Sequence, residues 1–379
     1  MASGLSSVTA RAKPFRGVRQ RAFLQVLLAA GALALPRPGF AEFPKYLPDG
    51  CNFIVAVNFA EMHDSPQYQK LRADIADFAP GESSFQEEVL IGLAPSIVAQ
   101  ITLSSDLTAP GDGSGPLVSV RTRIPVSAAG IRAARKLPAY MKDFSYREVK
   151  VGEKVIYENS YAWTEGGQKM SRGAFAVVED NLVLVGPNAE YLRKVMARGK
   201  SLELSPELQS AVRSTDFAKT LAYAIDLKAA VNETFTREFT REIAPVFGGA
   251  IDIEFVKKLD GLCFDATLTG PGAVVRGSLI AKDAGTAGDV KKVVEAAQVA
   301  MSGMLRKLPR APKEVADAID AVKFSVAGAK VSATGEVKAA ALVQWIEDEY
   351  KYQKGLQEER LKAIPARPPT KATETKPAE

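Results

Sequence analysis

Residues 42–66, EFPKYLPDGCNFIVAVNFAEMHDSP, hold the first strand signal and the first helix signal of the chain. Its centre, Cys51 to Asn58, is a short run of β-branched and apolar residues, which predicts a buried strand. Asp49-Gly50 ahead of this run is typical of a turn. Ser65-Pro66 after it predicts the start of a helix, with Ser as the cap and Pro in the first turn. A mature chain that opens with a strand and a helix is therefore expected to begin here.

Residues 1–41, which precede this stretch, have the composition of a secretory signal. They carry six Lys or Arg and no Asp or Glu, and they include the apolar run AFLQVLLAAGALAL at 22–35. That run is shorter than the roughly 20 residues that a membrane span needs. Gly39-Phe40-Ala41 places small residues at −3 and −1, which predicts cleavage after Ala41. The alternative is an uncleaved anchor.

The charge of the chain supports this division. The net charge is +5, but residues 42–379 hold 43 basic and 44 acidic residues and are close to neutral. A basic excess confined to a leader argues against a nucleic-acid partner for the mature protein. Nothing after residue 41 is apolar enough to predict a transmembrane segment.

Alternating strand signals, hairpin turns and intervening helices predict an α+β fold with a mainly antiparallel sheet. Three patterns recur in the same order. They are AVNFA at 56–60 with AIDLK at 224–228, ITLS at 101–104 with ATLT at 266–269, and a hairpin that begins FAV at 175–177 with one that begins FSV at 324–326.

The recurrence predicts an internal duplication. Two similar units, 42–200 and 201–362, are each expected to be a curved antiparallel sheet with helices packed on one face. Chance similarity of two α+β stretches is the alternative. The last residues, 363–379, are rich in Pro, Thr and Lys and predict a disordered tail.

The chain lacks recognisable catalytic motifs. Its single histidine, His63, precedes a helix cap, where a solvated polar residue is the common case. One His and two Cys are too few for a zinc site built from several such ligands. We therefore expect no cofactor and no metal, and a protein that is not an enzyme is the favoured interpretation.

Two sets of residues are candidates for a structural or binding role. Cys51 and Cys263 are the only cysteines. Export permits a disulfide between them, and each also fits a free thiol beside a buried strand. Tyr157, Tyr161 and Trp163 cluster near a polar loop and form a possible binding patch, with packing at a strand end as the alternative.

Short motifs resemble the start of uncharacterised exported proteins of planctomycete-type bacteria. They are YLPDG at 46–50, a strand that ends in AVN at 56–58, Ser65-Pro66, and GLAP at 92–95, where the family pattern has Asp in place of Ala94. The resemblance implies an exported α+β protein. It implies no catalytic residues.

The function predicted from the sequence is a non-catalytic binding or structural module that is periplasmic or secreted. Its partner would be an envelope protein or a hydrophobic ligand. Two alternatives stay open: a hydrolase that uses carboxylates distant in sequence, and a carrier that holds a hydrophobic ligand in a cavity under a curved sheet.

Overall fold

The sheet that organises this protein has 12 strands, all of which pair in antiparallel fashion. We describe it from a computed structural model. The residues that the structure describes are 44–59, 93, 97–108, 115–134, 142–162, 169–198, 204–243, 251–269, 272–307, 313–338 and 352. The expected signal at 1–41, the helix after Ser65-Pro66 and the expected tail at 363–379 lie outside these residues.

The strands follow the hairpins that the sequence predicts. They are β1 (Phe53–Asn58), β2 (Val98–Ser105), β3 (Leu117–Thr122), β4 (Lys142–Val151), β5 (Lys154–Ala162), β6 (Lys169–Glu179), β7 (Leu182–Gly186), β8 (Leu221–Asp226), β9 (Leu259–Thr269), β10 (Gly272–Ala281), β11 (Lys323–Ala327) and β12 (Lys330–Lys338). Their order across the sheet is β11-β12-β10-β9-β8-β1-β2-β3-β7-β6-β5-β4.

Helices occupy several of the connections between strands. They are α1 (Ala128–Ala134), α2 (Ala189–Arg198), α3 (Pro206–Arg213), α4 (Leu227–Ala230), α5 (Glu233–Glu238), a π-helical turn (Phe239–Ile243), α6 (Ile253–Val256), α7 (Ala284–Leu305) and α8 (Lys313–Asp320). The fold class expected from the sequence, α+β with a mainly antiparallel sheet, is confirmed.

Strand β1 lies near the middle of the sheet because its sequence is apolar on both sides. Ile54 and Ala56 are fully buried on what we call the front face, and Phe53 and Val55 are buried on the back face. A half-exposed strand would alternate apolar and polar residues, so this continuous apolar run fits a position covered on both faces.

The helices lie on both faces of the sheet, whereas the sequence led us to expect one covered face per unit. On the front face, α2 packs on β5, β6 and β7, and α3 packs beside β1 and β8. On the back face, α1 packs on β2 and β3, and α7 packs on β10 and β12. Each half of the chain therefore contributes helices to both faces, since its buried strands are apolar on both sides.

The two predicted units, 42–200 and 201–362, share the one sheet. Strand β1 pairs with β8, with Val55 opposite Tyr223 at the centre of the pairing. Counted outward from this pair, the first half runs β1, β2, β3, β7, β6 and the second runs β8, β9, β10, β12, β11. The first half then continues into β5 and β4. The shared order is consistent with a duplication, which stays a prediction.

The pairing registers correct one of the sequence matches that suggested the duplication. Ala56 pairs with Thr102, and Ala224, at the matching place in the second half, pairs with Cys263. Thr102 therefore corresponds to Cys263, whereas the sequence match had aligned Thr102 with Thr267. Both alignments place the residue on the same face because they differ by an even number of residues.

The connection after β8 contains short helical segments. It is divided into α4, α5 and the π-helical turn. Asn232 has an extended backbone, and its side chain accepts a hydrogen bond from Phe235 N at 2.9 Å. The residue therefore caps a new helix, as an Asn does more readily than it continues one.

Candidate functional site

The expected aromatic patch belongs in part to the core. The Tyr157 ring stacks on Phe175 with a centroid separation of 5.2 Å, and the Arg132 guanidinium lies 4.7 Å from the Tyr157 ring centroid. Tyr161 lies on β5, where it pairs with Met170. Trp163 lies outside the described residues. Tyr157 thus serves packing between α1 and the sheet, which was the alternative to a binding patch.

The two cysteines are free and buried in one core cluster. Cys263 pairs with Ala224, which pairs with Ile54, and Cys51 lies before Ile54 in the chain. Their Cα atoms are therefore separated by about 10 Å along the strands and about 10 Å across them. A disulfide needs Cα atoms within about 7 Å. The two cysteines are farther apart than this, and the possible Cys51–Cys263 bond is not formed.

The strongest candidate site is on the front face of the second half, beside the end of α3. There a pocket of about 430 Å³ is lined by 213–216 and by parts of β9, β10 and β12. We call it the polar pocket. The helix reaches this place because Ser205 caps it, accepting from Leu208 N at 3.1 Å, and because Leu208 and Ala211 are fully buried against the sheet.

The floor of the polar pocket is one row of side chains across three strands. Cys263 pairs with Ser278, and Ser278 pairs with Ser332. The two serine Oγ atoms are 3.2 Å apart, and either can donate to the other. Cys263 is 1% exposed and Ser278 is 8% exposed. The floor therefore offers hydroxyl groups at the bottom of a pocket whose rim is charged.

The carboxylates of the polar pocket are engaged in ion pairs. Asp265 accepts from Arg276 Nε at 2.9 Å, and Asp216 forms an ion pair with Lys219 at 3.4 Å. The Asp265 carboxylate also accepts from the backbone N–H of Asp216 at 3.5 Å. Neither carboxylate is placed to act as a free general acid or base, because each already stabilises a cation or a backbone donor.

Two cations of the polar pocket have no such partner. Arg213 and Lys330 line it, and within the described part of the chain neither forms an ion pair with a carboxylate. Since Asp216 and Asp265 are neutralised by Lys219 and Arg276, the pocket carries an excess of positive charge. Paired hydroxyls and two cations in one pocket are suited to hold a carboxylate or a phosphate.

The Cys263 thiol is held in its neutral form. Burial raises its pKa, and this effect exceeds the opposite influence of hydrogen bonds from Thr215 and Ser278 and of the Lys330 charge. A reactive cysteine would need a lowered pKa and exposure. Cys263 therefore forms part of the wall of the pocket.

The sequence contains a weak signal for this site. Lys330, Ser332 and Thr334 alternate with Val331 and Ala333 along β12, and Ser278 precedes the apolar Leu279 on β10. The alternation marks one polar and one apolar face. Arg213 could not be added from sequence, because only the fold brings the end of α3 beside these strands.

His63 lies outside the described residues. In the ranges that are described, no group of three or more His, Cys, Asp or Glu side chains is arranged to hold a metal ion. Of the helices in those same ranges, none has both the length and the apolar composition needed to cross a bilayer.

Comparisons with known proteins give structural likenesses but no sequence match. No family model matches the chain, and no curated protein matches it. Among solved structures it is similar to crystal form III of TP0453, with a TM-score of 0.43 and 9% identity over 81% of this chain and 99% of that one. Crystal form I of TP0453 gives a TM-score of 0.37 and 10% identity over 79% of this chain and 94% of that one.

Proposed function

We propose that this chain is an exported, non-catalytic binding protein of the periplasm or cell envelope, and that its polar pocket holds a small anionic ligand. The observation that carries the proposal is that Arg213 and Lys330, which form no ion pair with a carboxylate of the described residues, line the same pocket as the hydroxyls of Ser278 and Ser332. An anion bound there replaces water at groups that the fold already positions, so binding requires little rearrangement.

The polar pocket favours this function over the two alternatives. A hydrolase that uses two carboxylates needs them available at the reacting atoms, whereas Asp216 and Asp265 are ion-paired. A carrier of a hydrophobic ligand needs an apolar lining, whereas this lining consists largely of charged and hydroxyl groups.

Export rests on the sequence. The leader at 1–41, the near-neutral remainder of the chain and the resemblance of YLPDG and GLAP to exported proteins support it. Mass spectrometry of the protein from its native host is expected to find an N-terminus at Glu42. An intact chain that starts at Met1 would reject export and leave the pocket proposal to its own test.

Isothermal titration calorimetry with inorganic phosphate and with succinate tests the polar pocket. These are the smallest probes of the two anion classes, and we expect saturable binding of at least one. Arg213→Ala and Lys330→Ala should each weaken that binding by about tenfold or more, because each removes one charge-assisted contact.

Arg237→Ala is the matched control. Arg237 is an exposed cation on α5, away from the polar pocket, and its removal changes the net charge by the same amount. It should leave the affinity unchanged. Absence of saturable binding of both probes, or equal losses in all three variants, would reject the polar pocket as an anion site.

A further inference from the structure

Strand β11 forms one border of the sheet, and its outer edge is open. It pairs with β12 on one side, and in the described part of the chain it has no strand on the other. Lys323, Ser325, Val326 and Ala327 are exposed, and Val326 retains 41% of its accessible surface. An edge strand with exposed apolar residues is a template for another strand.

The hydrogen-bonding pattern of β12 and β11 shows which backbone N–H and C=O groups of β11 point away from the sheet. Ala281 N donates to Ala329 O at 2.8 Å, so Ala329 faces β10. Backbone groups alternate along an antiparallel strand, hence Lys330 and Ser332 face β11. Their partners Ala327 and Ser325 turn inward. The N–H and C=O groups of Phe324 and Val326 therefore point to the open edge.

The opposite border of the sheet is protected by charge. Strand β4 exposes Arg147, Glu148 and Lys150. Charged side chains discourage pairing along an edge. Strand β11 has a single charged residue, Lys323. The sheet also continues past β6, which holds the place in the first half that β11 holds in the second, into β5 and β4. An antiparallel strand at this place therefore extends the sheet without changing its architecture.

We propose that the open edge of β11 pairs with β11 of a second copy of this chain, in antiparallel register centred on Ser325. This register places Phe324 opposite the partner's Val326, and both residues have their backbone groups turned outward. It makes about four backbone hydrogen bonds. Lys323 faces the partner's Ala327, so no like charges are opposed. The interface is small, and the dimer is accordingly a weak one.

Sedimentation velocity on the purified protein, from about 10 µM to about 500 µM, tests the pairing. We expect the sedimentation coefficient to rise with concentration toward that of a dimer. Ser325→Glu and Ser325→Lys each place two like charges directly opposite and should abolish the rise. An equimolar mixture of the two variants should restore it, because Glu then faces Lys.

Restoration in the mixture separates a surface effect from misfolding, since two misfolded variants would not rescue each other. Ser145→Glu, which adds a charge to the exposed part of β4, is the control and should associate like the unmodified protein. A protein that stays monomeric over the whole range, association that persists in both Ser325 variants, or a mixture that does not recover would each overturn the proposal.

Discussion

The two halves of the sheet keep the same strand order but treat their front faces differently. In the first half, Leu184 on β7 is fully buried and packs under Leu192 of α2. In the second half, β12 holds the matching place, and Ser332 on it is half-buried and lines the polar pocket. The matching position on the neighbouring strand is a serine in both halves: Ser119 pairs with Leu184, and Ser278 pairs with Ser332.

The two front faces differ in what their side chains do. In the first half they pack into the core, and in the second half they stay accessible to a ligand. A helix covers the apolar front face of the first half, and covering it excludes a ligand. The second half has a hydroxyl and charged surface at the corresponding place, beside the end of α3. The front face of the first half is therefore closed by its core, whereas the front face of the second half carries the proposed binding site.

The largest expected effect comes from placing the second half's residue in the first. Leu184→Ser removes a fully buried leucine and buries a hydroxyl. It should lower the free energy of unfolding by about 3–5 kcal/mol. Denaturant unfolding followed by circular dichroism measures this. A loss below about 1 kcal/mol would show that the α2 side is not the closed half.

The next effect concerns Glu158, which joins three elements of the closed half. Its Oε1 accepts from Ala189 N at 3.1 Å at the start of α2, and its Oε2 accepts from Arg147 Nε at 2.9 Å. Glu158→Ala should cost about 2–3 kcal/mol, mainly by leaving the buried helix donor unpaired. Arg147 is largely exposed, so Arg147→Ala, compared in the same urea titration, should cost less than about 1 kcal/mol.

Alkaline pH should act on the two cysteines unequally. Burial raises the pKa of Cys51 to about 12 against the opposite influence of backbone hydrogen bonds at Phe53 and Ser105, and the nearby Asp106 charge adds to the rise. Burial also raises the pKa of Cys263, but Thr215 and Lys330 oppose it. A raised thiol pKa gives stability that is complete below the ordinary value near 9 and is lost as pH rises toward the folded value.

At pH 10.5 we therefore expect ionisation of Cys51 in the unfolded state to lower the free energy of unfolding by about 2 kcal/mol. The pH dependence of unfolding between about pH 9 and about pH 11 should flatten more in Cys51→Ala than in Cys263→Ala. If the free energy of unfolding had the same pH dependence in the two variants, the two cysteines would not differ as expected.

The smallest effect on stability is the reverse exchange. Ser332→Leu lies at the half-buried floor of the polar pocket, where it removes one hydroxyl pair and fills space. Unfolding free energy should change by less than about 1 kcal/mol, whereas phosphate or succinate affinity should fall by about tenfold or more. A large loss of stability would mean that this face is core, as in the first half.

Much of the fold was predictable because local patterns determine it. The apolar run at Cys51 to Asn58 predicts β1, and the alternating strand signals and hairpin turns predict an antiparallel sheet; both predictions are correct. The joining of both halves into one sheet was not predictable, because the β1–β8 pairing connects residues far apart in the chain. The polar pocket needs the end of α3 to lie beside β9, β10 and β12, and only the fold sets this placement, so Arg213 cannot be grouped with Lys330 from the sequence.

Phosphate titration of the isotopically labelled protein, followed by transverse-relaxation-optimised NMR, distinguishes the closed front face of the first half from the proposed site in the second. Amide shifts should move at 213–216, 263–265, 276–278 and 330–334, with saturation at a common concentration. The amide shifts of β7 and of α2, which covers the front face of the first half, should not change. Saturable shifts on the α2 side, or no shifts at the polar pocket, would contradict anion binding at the polar pocket alone.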